Sequence, residues 1–502
     1  MEGFPACWIS IESVALRWLL AHRLALEATF REHLRRRVAV WDSPLVVRFR
    51  HLAPIAACPR PNVGIARTTR NDKVLVALQL FLSMAGILSQ AFEQTLSERT
   101  STMNFTLSPE IEDFRRRVRT FVNDKILPLE SDPATYDEHE NIREEVVAEI
   151  RERAKSAGLW AFQMPKARGG QDVGVVGMAV LYEEMNRSIF GPVCFNSAAP
   201  DDGNMILLNK VGTDKQKERW LQPIIEGTVR SAFAMTEPHP GSGSDPSGMM
   251  VTKAEKRGDT WIVHGRKWFI TGADGAQHFI LVARTSNDPR KGLTAFLFDA
   301  SQPGWRIERR IPIMGPEEHG GHCEIVFEGL EIEDQNRLME VGDGLKATQI
   351  RLGTARLTHC MRWLGLSKRS MEIARDYTRI REAFGSFLNQ RESVQIAMGK
   401  LAMDIQVGRL LVMNAAWKLD QGDFARKEVS MAKIAVANTL HDAVDTAIQL
   451  NGARGYSKDT VLEWIYRYAR QARLVDGADE VHKMVLSNFY GREGMDFWKW
   501  DL

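Results

Sequence analysis

Cysteine is scarce and scattered in this chain, with five in 502 residues, at 7, 58, 194, 323 and 360, and no Cys-x-x-Cys pair. That pattern excludes a disulfide-built scaffold and a structural zinc site, and it fits a reducing compartment where a buried thiol is core filler. Net charge is also small. A formal +2 gives no electrostatic case for a nucleic-acid partner. No Gly-x-Gly-x-x-Gly follows a strand-like run, so a Rossmann layout is missing and any nucleotide must be held another way. What is present is ordinary for a folded globular chain, with 44% apolar and 26% charged residues.

The charge is unevenly placed. Residues 1–102 carry thirteen Lys plus Arg against eight Asp plus Glu, which leaves the remainder slightly acidic. Within this leader, 31–37 is strongly basic and 54–70 has no helix or strand period. Residues 74–92 are uncharged, at the lower edge of a membrane-spanning length, but hold Gln79, Ser83, Gly86, Ser89 and Gln90. A membrane span, an amphipathic or buried helix, and no fixed structure are all open readings there. The leader's arginines have no ordered helix or aromatic platform for nucleic acid. Its acidic residues count against a transit peptide. Met103 directly precedes Ser108-Pro109-Glu110, an N-cap with proline at the first helical position, so residue 103 is the expected start of the fold and a candidate start of the protein.

Three segments of different period follow. Residues 103–230 are expected to be mainly helical, with helices over 140–157, 175–186 and 215–220. Residues 231–343 break into short apolar runs separated by glycine and proline, with strands expected at 260–273, 278–285, 293–299 and 322–332. From 344 to 502 the helical period returns, over 356–381, 392–421, 424–451 and 461–474, with a last helix after Asp479.

Four segments carry polar chemistry. The run 233–245 (FAMTEPHPGSGSD) combines hydroxyls with glycines that admit close backbone approach. It is a cradle for a ring or a phosphate, or a surface turn. Phe269, in KWFITG, is a core residue or a stacking one. Arg381, in RIREAFG, pairs with a phosphate or complements a helix carboxyl end, and QLNGARG at 449–455 is a binding loop or a simple C-cap. Asp476 follows the apolar pair Leu474 and Val475 at a helix break. A carboxylate over an apolar pocket would have its pKa raised and would suit a general base for a weak carbon acid.

Across residues 103–502, these motifs in this order resemble the acyl-CoA dehydrogenase family. GHCEIVFEGL, RLGTARLTHCMRWLGL and VDGADEVH resemble the branch whose vertebrate members occur fused to an aminoglycoside-phosphotransferase-like domain; the 102 residues of the leader are too few for such a domain. The resemblance implies an α+β fold: an N-terminal helical domain, a central β-barrel-like domain and a C-terminal four-helix bundle. It implies FAD, an acyl-CoA substrate, electron-transfer flavoprotein as acceptor, a homodimer or homotetramer, and a cytoplasmic enzyme of fatty-acid β-oxidation. Asp476 stands where most of the family has glutamate, and Arg356 matches an arginine beside the base. Ala355 occupies the position of the alternative glutamate used by some relatives. Phe233, Met235, Thr236, Gly243 and Ser244 match the segment at the flavin and thioester. Phe269 and Thr271 match the strand that lines the flavin, where many relatives have Trp in place of Phe269. Arg381, Phe384, Gln449, Gly452 and Ala453 match the part of the FAD site supplied to a neighbouring subunit. Ala478 and Glu480, near the flavin, replace the usual Thr and Gln.

The implied reaction removes the α proton of an acyl-CoA through Asp476 while hydride leaves Cβ for the flavin. Two rivals remain open at this point. One is a flavin oxidase or monooxygenase of the same fold, similar to the nitroalkane oxidases, which also use an aspartate base. The other is a flavin-free helical scaffold.

Overall fold

The computed structural model describes residues 106–246, 248 and 250–499; the leader and its uncharged run lie outside the described residues. The first helix, α1 (Pro109–Phe121), begins as the sequence predicts. Ser108 Oγ accepts from Ile111 N–H at 3.3 Å, Pro109 opens the helix, and Phe114 and Val118, one turn apart, are buried. The stretch expected to be helical from 140 begins only at α2 (Glu144–Ser156). The Asp137 carboxylate accepts from the His139 and Asn141 N–H groups, both at 2.8 Å, and holds the preceding residues in a turn. Helices α3 (Gly174–Met185) and α4 (Asp201–Val211) complete the parts of the N-terminal region that bear on the site.

Eight strands follow: β1 (Ser231–Ala234), β2 (Lys253–Arg257), β3 (Thr260–Thr271), β4 (His278–Arg284), β5 (Leu293–Asp299), β6 (Trp305–Arg310), β7 (His322–Glu333) and β8 (Arg337–Leu338). The order is β6-β7-β3-β2-β4-β5-β8, with β1 parallel to β4. This corrects the barrel-like expectation. β6 pairs only with β7 and β8 only with β5, so the sheet has two free edges and is open. Alternation along a strand reports which face is buried and is silent about whether the outer strands meet, so the sequence could not separate the two cases. Strands β4 and β5 are buried on both faces. One face carries the stacked rings of Phe279 and Phe298, 4.7 Å apart, with Trp305 against Phe279 at 4.8 Å.

The chain then returns to helices: α5 (Gly344–Ile380), α6 (Glu392–Asp420), α7 (Arg426–Asn451), α8 (Leu462–Ala472) and α9 (Asp479–Glu493). Ala432, Ala437, Ala443 and Ala447 are buried along α7, and small side chains let α7 approach α5 closely. Among the described residues, no helix is long and apolar enough to cross a membrane. Cys194, Cys323 and Cys360 are free and buried, and burial pushes the thiols of Cys194 and Cys360 up to about 12.

Candidate active site

The polar loop after β1 is held by an ion pair inside the protein. Lys267 Nζ donates to Glu237 Oε1 at 3.0 Å and to the Met235 carbonyl at 2.7 Å, and both side chains are fully buried. Glu237 also accepts from Val251 N–H and Thr252 N–H, at 2.7 and 2.9 Å. Burial alone would raise the Glu237 pKa. Lys267 and these donors hold it below the ordinary value, so the carboxylate is charged and fixed. The Thr236 carbonyl accepts from Trp268 N–H at 3.0 Å, which ties the loop to β3. Met235 is therefore buried, Thr236 is half-buried and Ser244 is exposed. Gly243 has φ +60, and a Cβ there would meet nothing within 4 Å, so the loop presents an open cradle.

Strand β3 is irregular where the sequence places its aromatic. The β3–β7 register shifts between Lys267 and Ile270, and Phe269 takes φ +50 with 45% of its surface exposed. Phe269 is thus not a core residue. The bulge turns it outward while Lys267 and Ile270 stay buried. Two residues on, Thr271 Oγ1 lies 3.0 Å from His322 Nδ1 of β7.

Asp476 sits in the turn between α8 and α9 with φ +53. Arg356 Nε donates to its carbonyl at 2.7 Å, fixing the turn against α5. Its carboxylate faces the same helix, with His359 Nε2 at 3.5 Å from Oδ2 and Arg351 at 3.9 Å from Oδ1. Asp476 Oδ2 and His359 Nδ1 are both buried without a hydrogen-bond partner. The expectation of a raised pKa over an apolar pocket is overturned. Burial does push the Asp476 pKa up, but His359, Arg351 and Arg356 outweigh it and the value is lowered. Leu474 is 56% exposed. Burial, with Arg362 next, pushes His359 down to about 4, so the ring is neutral at neutral pH and the two arginines carry the positive field.

Arg351 links this carboxylate to the β1 segment. Its guanidinium lies 4.8 Å from the Phe233 ring, and its Nε is 3.4 Å from Asn204 Oδ1. Behind His359, Arg362 pairs with Asp202 at 2.7 Å, which also accepts from Thr358 at 2.8 Å. Ala355 is buried on the same helix. Ala478 caps α9, and Glu480 is exposed in its first turn. Asp479 between them is buried and paired with Lys433 and Arg473, both at 3.0 Å.

The remaining predicted residues form a second, exposed group. Phe384 and Gly385, both at positive φ, make the two-residue turn of a hairpin beyond α5, with Arg381 at its entry. Phe384 is 100% exposed. Gln449, Gly452 and Ala453 are exposed at the end of α7, and Gly452 has φ +60 with nothing near a Cβ. Arg454 lies 5.5 Å from the Tyr377 ring, which sets this loop beside the end of α5. No hydrogen bond or ion pair among the described residues joins this group to the Asp476 turn.

Sequence reasoning missed Arg351, His359, Lys267, Glu237 and His322. A signal for the first two existed, since 351, 355 and 359 recur at four-residue spacing on one helix next to Arg356.

Residues 108–228, 232–330 and 342–490 match, in that order, the N-terminal, middle and C-terminal domains of acyl-CoA dehydrogenases. The chain is 34% identical over 394 residues to the probable acyl-CoA dehydrogenase FadE2 of Mycobacterium tuberculosis, covering 76% of this chain and 95% of that one. It is 35% identical over 461 residues to acyl-CoA dehydrogenase family member 11 of Rattus norvegicus, covering 88% of this chain and 58% of the relative. The chain therefore spans little more than half of that longer protein. Among solved structures, butyryl-CoA dehydrogenase from Megasphaera elsdenii superposes with a TM-score of 0.68 at 27% identity, over 78% of this chain and 100% of the other. The glutaryl-CoA complex of glutaryl-CoA dehydrogenase gives 0.67 at 25% identity, over 78% and 97%. The chain belongs to the acyl-CoA dehydrogenase family. It is an FAD-dependent enzyme of that class.

Proposed function

We propose that the chain oxidises an acyl-CoA thioester to the trans-2-enoyl-CoA, with Asp476 as the base. The observation that carries this reading is the Asp476 carboxylate, which has one oxygen buried without a hydrogen-bond partner and is flanked by His359 and Arg351. A base needs a free lone pair, and the lowered pKa keeps it deprotonated at neutral pH. Asp476 takes the α proton of the thioester as a hydride leaves Cβ, and a carbon–carbon double bond forms. The flavin, when bound, supplies the hydride acceptor. Arg356 holds the Asp476 carbonyl and so positions a side chain one methylene shorter than glutamate.

The residues present fit a flavin. Phe269 offers an outward ring, Thr271 a hydroxyl, and Gly243 a loop position at positive φ with open space around it. Met235, Thr236 and Ser244 would border it with Phe233, while Ala478 and Glu480 would close the side nearest the base. The exposed group of Arg381, Phe384, Gln449, Gly452 and Ala453 would serve the FAD of a second copy, and a fully exposed Phe384 supports that role. A homodimer or homotetramer follows. Ile396, Met403, Leu410 and Trp417 lie exposed at seven-residue spacing on α6, an apolar stripe suited to such contact. Electron-transfer flavoprotein is the acceptor we assign, and the cytoplasm the location, in keeping with the free, buried Cys194, Cys323 and Cys360. On the same reading the domains run 103–230, 231–343 and 344–502, within the branch related to the fused vertebrate enzymes.

The test is anaerobic absorbance of the FAD-loaded protein against a panel of acyl-CoAs, beside D476N. Bleaching near 450 nm by one thioester, lost in D476N, is the expected result. Bleaching that survives D476N would reject Asp476 as the base.

A further inference from the structure

Behind the outward edge of β3 lies a charged relay that the reaction above leaves unused. Thr271 Oγ1 is 3.0 Å from His322 Nδ1. On the other side of the ring, His322 Nε2 lies 2.9 Å from Glu318 Oε2, a charge contact rather than an aligned hydrogen bond. Gln471, from α8, donates to Glu318 Oε1 at 3.0 Å. The loop that carries Glu318 is fixed on the end of β3, because Gly272 N–H donates to the Gly321 carbonyl at 2.7 Å and Asp274 N–H to the Gly320 carbonyl at 3.2 Å. A Cβ on Gly320 would stand 2.2 Å from the Asp274 carbonyl oxygen, so only glycine permits that approach. The arrangement is built, not incidental.

We infer that the Glu318–His322 pair is a positioning device for the cofactor, which sets the direction of the Thr271 hydroxyl and so tunes the reduction of the flavin. This rests on the reading that Thr271 faces the flavin. With both ring nitrogens protonated, Nδ1–H donates to Thr271 Oγ1 and leaves the Thr271 proton free to point outward. With only Nε2 protonated, Nδ1 becomes an acceptor and draws the Thr271 proton inward. The first state also places a positive charge behind the site, which favours an electron-rich reduced cofactor.

The charged groups facing the ring are Glu318 and Glu317 from the loop and Arg310 from β6, and Phe269 packs 6.1 Å away. Burial alone would discharge the ring, but Glu318 reverses this and the His322 pKa is raised. The switch between the two states therefore falls above the ordinary histidine range at pH 6.5.

The experiment has two readouts on the FAD holoenzyme. The first is the midpoint potential of the bound flavin against pH, for the wild type, H322N, E318Q and T271V. The second is the His322 titration, followed by its imidazole proton resonances in wild type and E318Q. We expect H322N to shift the potential to more negative values at neutral pH and to remove a break in its pH dependence above pH 6.5. E318Q should lower the His322 pKa and move that break to lower pH, and T271V should reduce the effect of H322N to the part carried by the charge of the ring. Equal potentials and slopes in wild type and H322N, at full FAD content, would overturn the inference. Should T271V likewise leave the bound flavin unchanged, it is the assignment of this face to FAD that fails; a T271V effect without an H322N effect rejects only the relay. If H322N does not fold, the E318Q titration decides, and an unmoved His322 pKa counts against the pair.

Discussion

His359 Nε2 stands 3.5 Å from Asp476 Oδ2, and the far ring nitrogen and that oxygen are both buried without other partners. The imidazole and the carboxylate therefore face each other in a space that holds Arg351 and Arg356 as well. Because the carboxylate is stabilised in its charged form, activity should persist below neutral pH and fall only as Asp476 is protonated. D476N should slow flavin bleaching by about 10²–10⁴-fold. Loss of the ring in H359L should move the acidic limb of the rate profile to higher pH, and stopped-flow rates would show it as a fall that begins at higher pH in H359L than in the wild type, whose limb lies below the ordinary carboxylate range.

A second prediction concerns acid stability. His482 is buried, and burial followed by Arg356 and Lys433 pushes it down to about 4. The unfolded chain binds this proton near pH 6.5 and the folded chain only near 4, so stability falls as pH drops through that window. The loss amounts to roughly 3 kcal/mol at most for this one group. Urea midpoints at pH 7 and 5 should diverge in the wild type and diverge less in H482Q.

The third lies beneath the base turn. Lys433 and Asp479 pair at 3.0 Å with both side chains buried, and Asn438 adds a contact at 3.2 Å. K433M would leave Asp479 with Arg473 and Asn438 but without its buried partner, at a cost of about 3–5 kcal/mol. The double variant K433M/D479N should recover part of that loss, because no buried charge is then orphaned. Thermal denaturation of the four forms measures the coupling.

The fourth separates folding from assembly. Phe384 is fully exposed in one chain, so F384A should change the stability of the isolated chain by less than about 0.5 kcal/mol. If it serves the FAD of a second copy, the same variant should lose cofactor and oligomer together. Sedimentation and flavin content, measured on one preparation, would show it.

Much of the fold was legible because its signals are local. The Ser108-Pro109 cap, the long periods of α5, α6 and α7, and the apolar runs of β3, β4, β5 and β7 each lie within one stretch of chain. Short or exposed strands carried no such signal. β2 exposes four of its five residues and β6 alternates weakly, so neither stood out as apolar. Asp476, Phe269 and Arg356 were legible as positions through the family order of the motifs, while the charge state of Asp476 was not.

The sequence by itself determined the order of helical and sheet segments and the family, and it pointed to Asp476 as the candidate base, since these depend on local period and motif. Only the tertiary structure decided that the sheet stays open, that Phe269 turns outward, and that Asp476 is held charged. Each of those depends on partners far apart in the chain: the unpaired edges of β6 and β8, the register of β3 against β7, and the Arg351 and His359 side chains more than a hundred residues before the carboxylate they face. Electrostatic energy follows distance in space, and no spacing along the chain reports it.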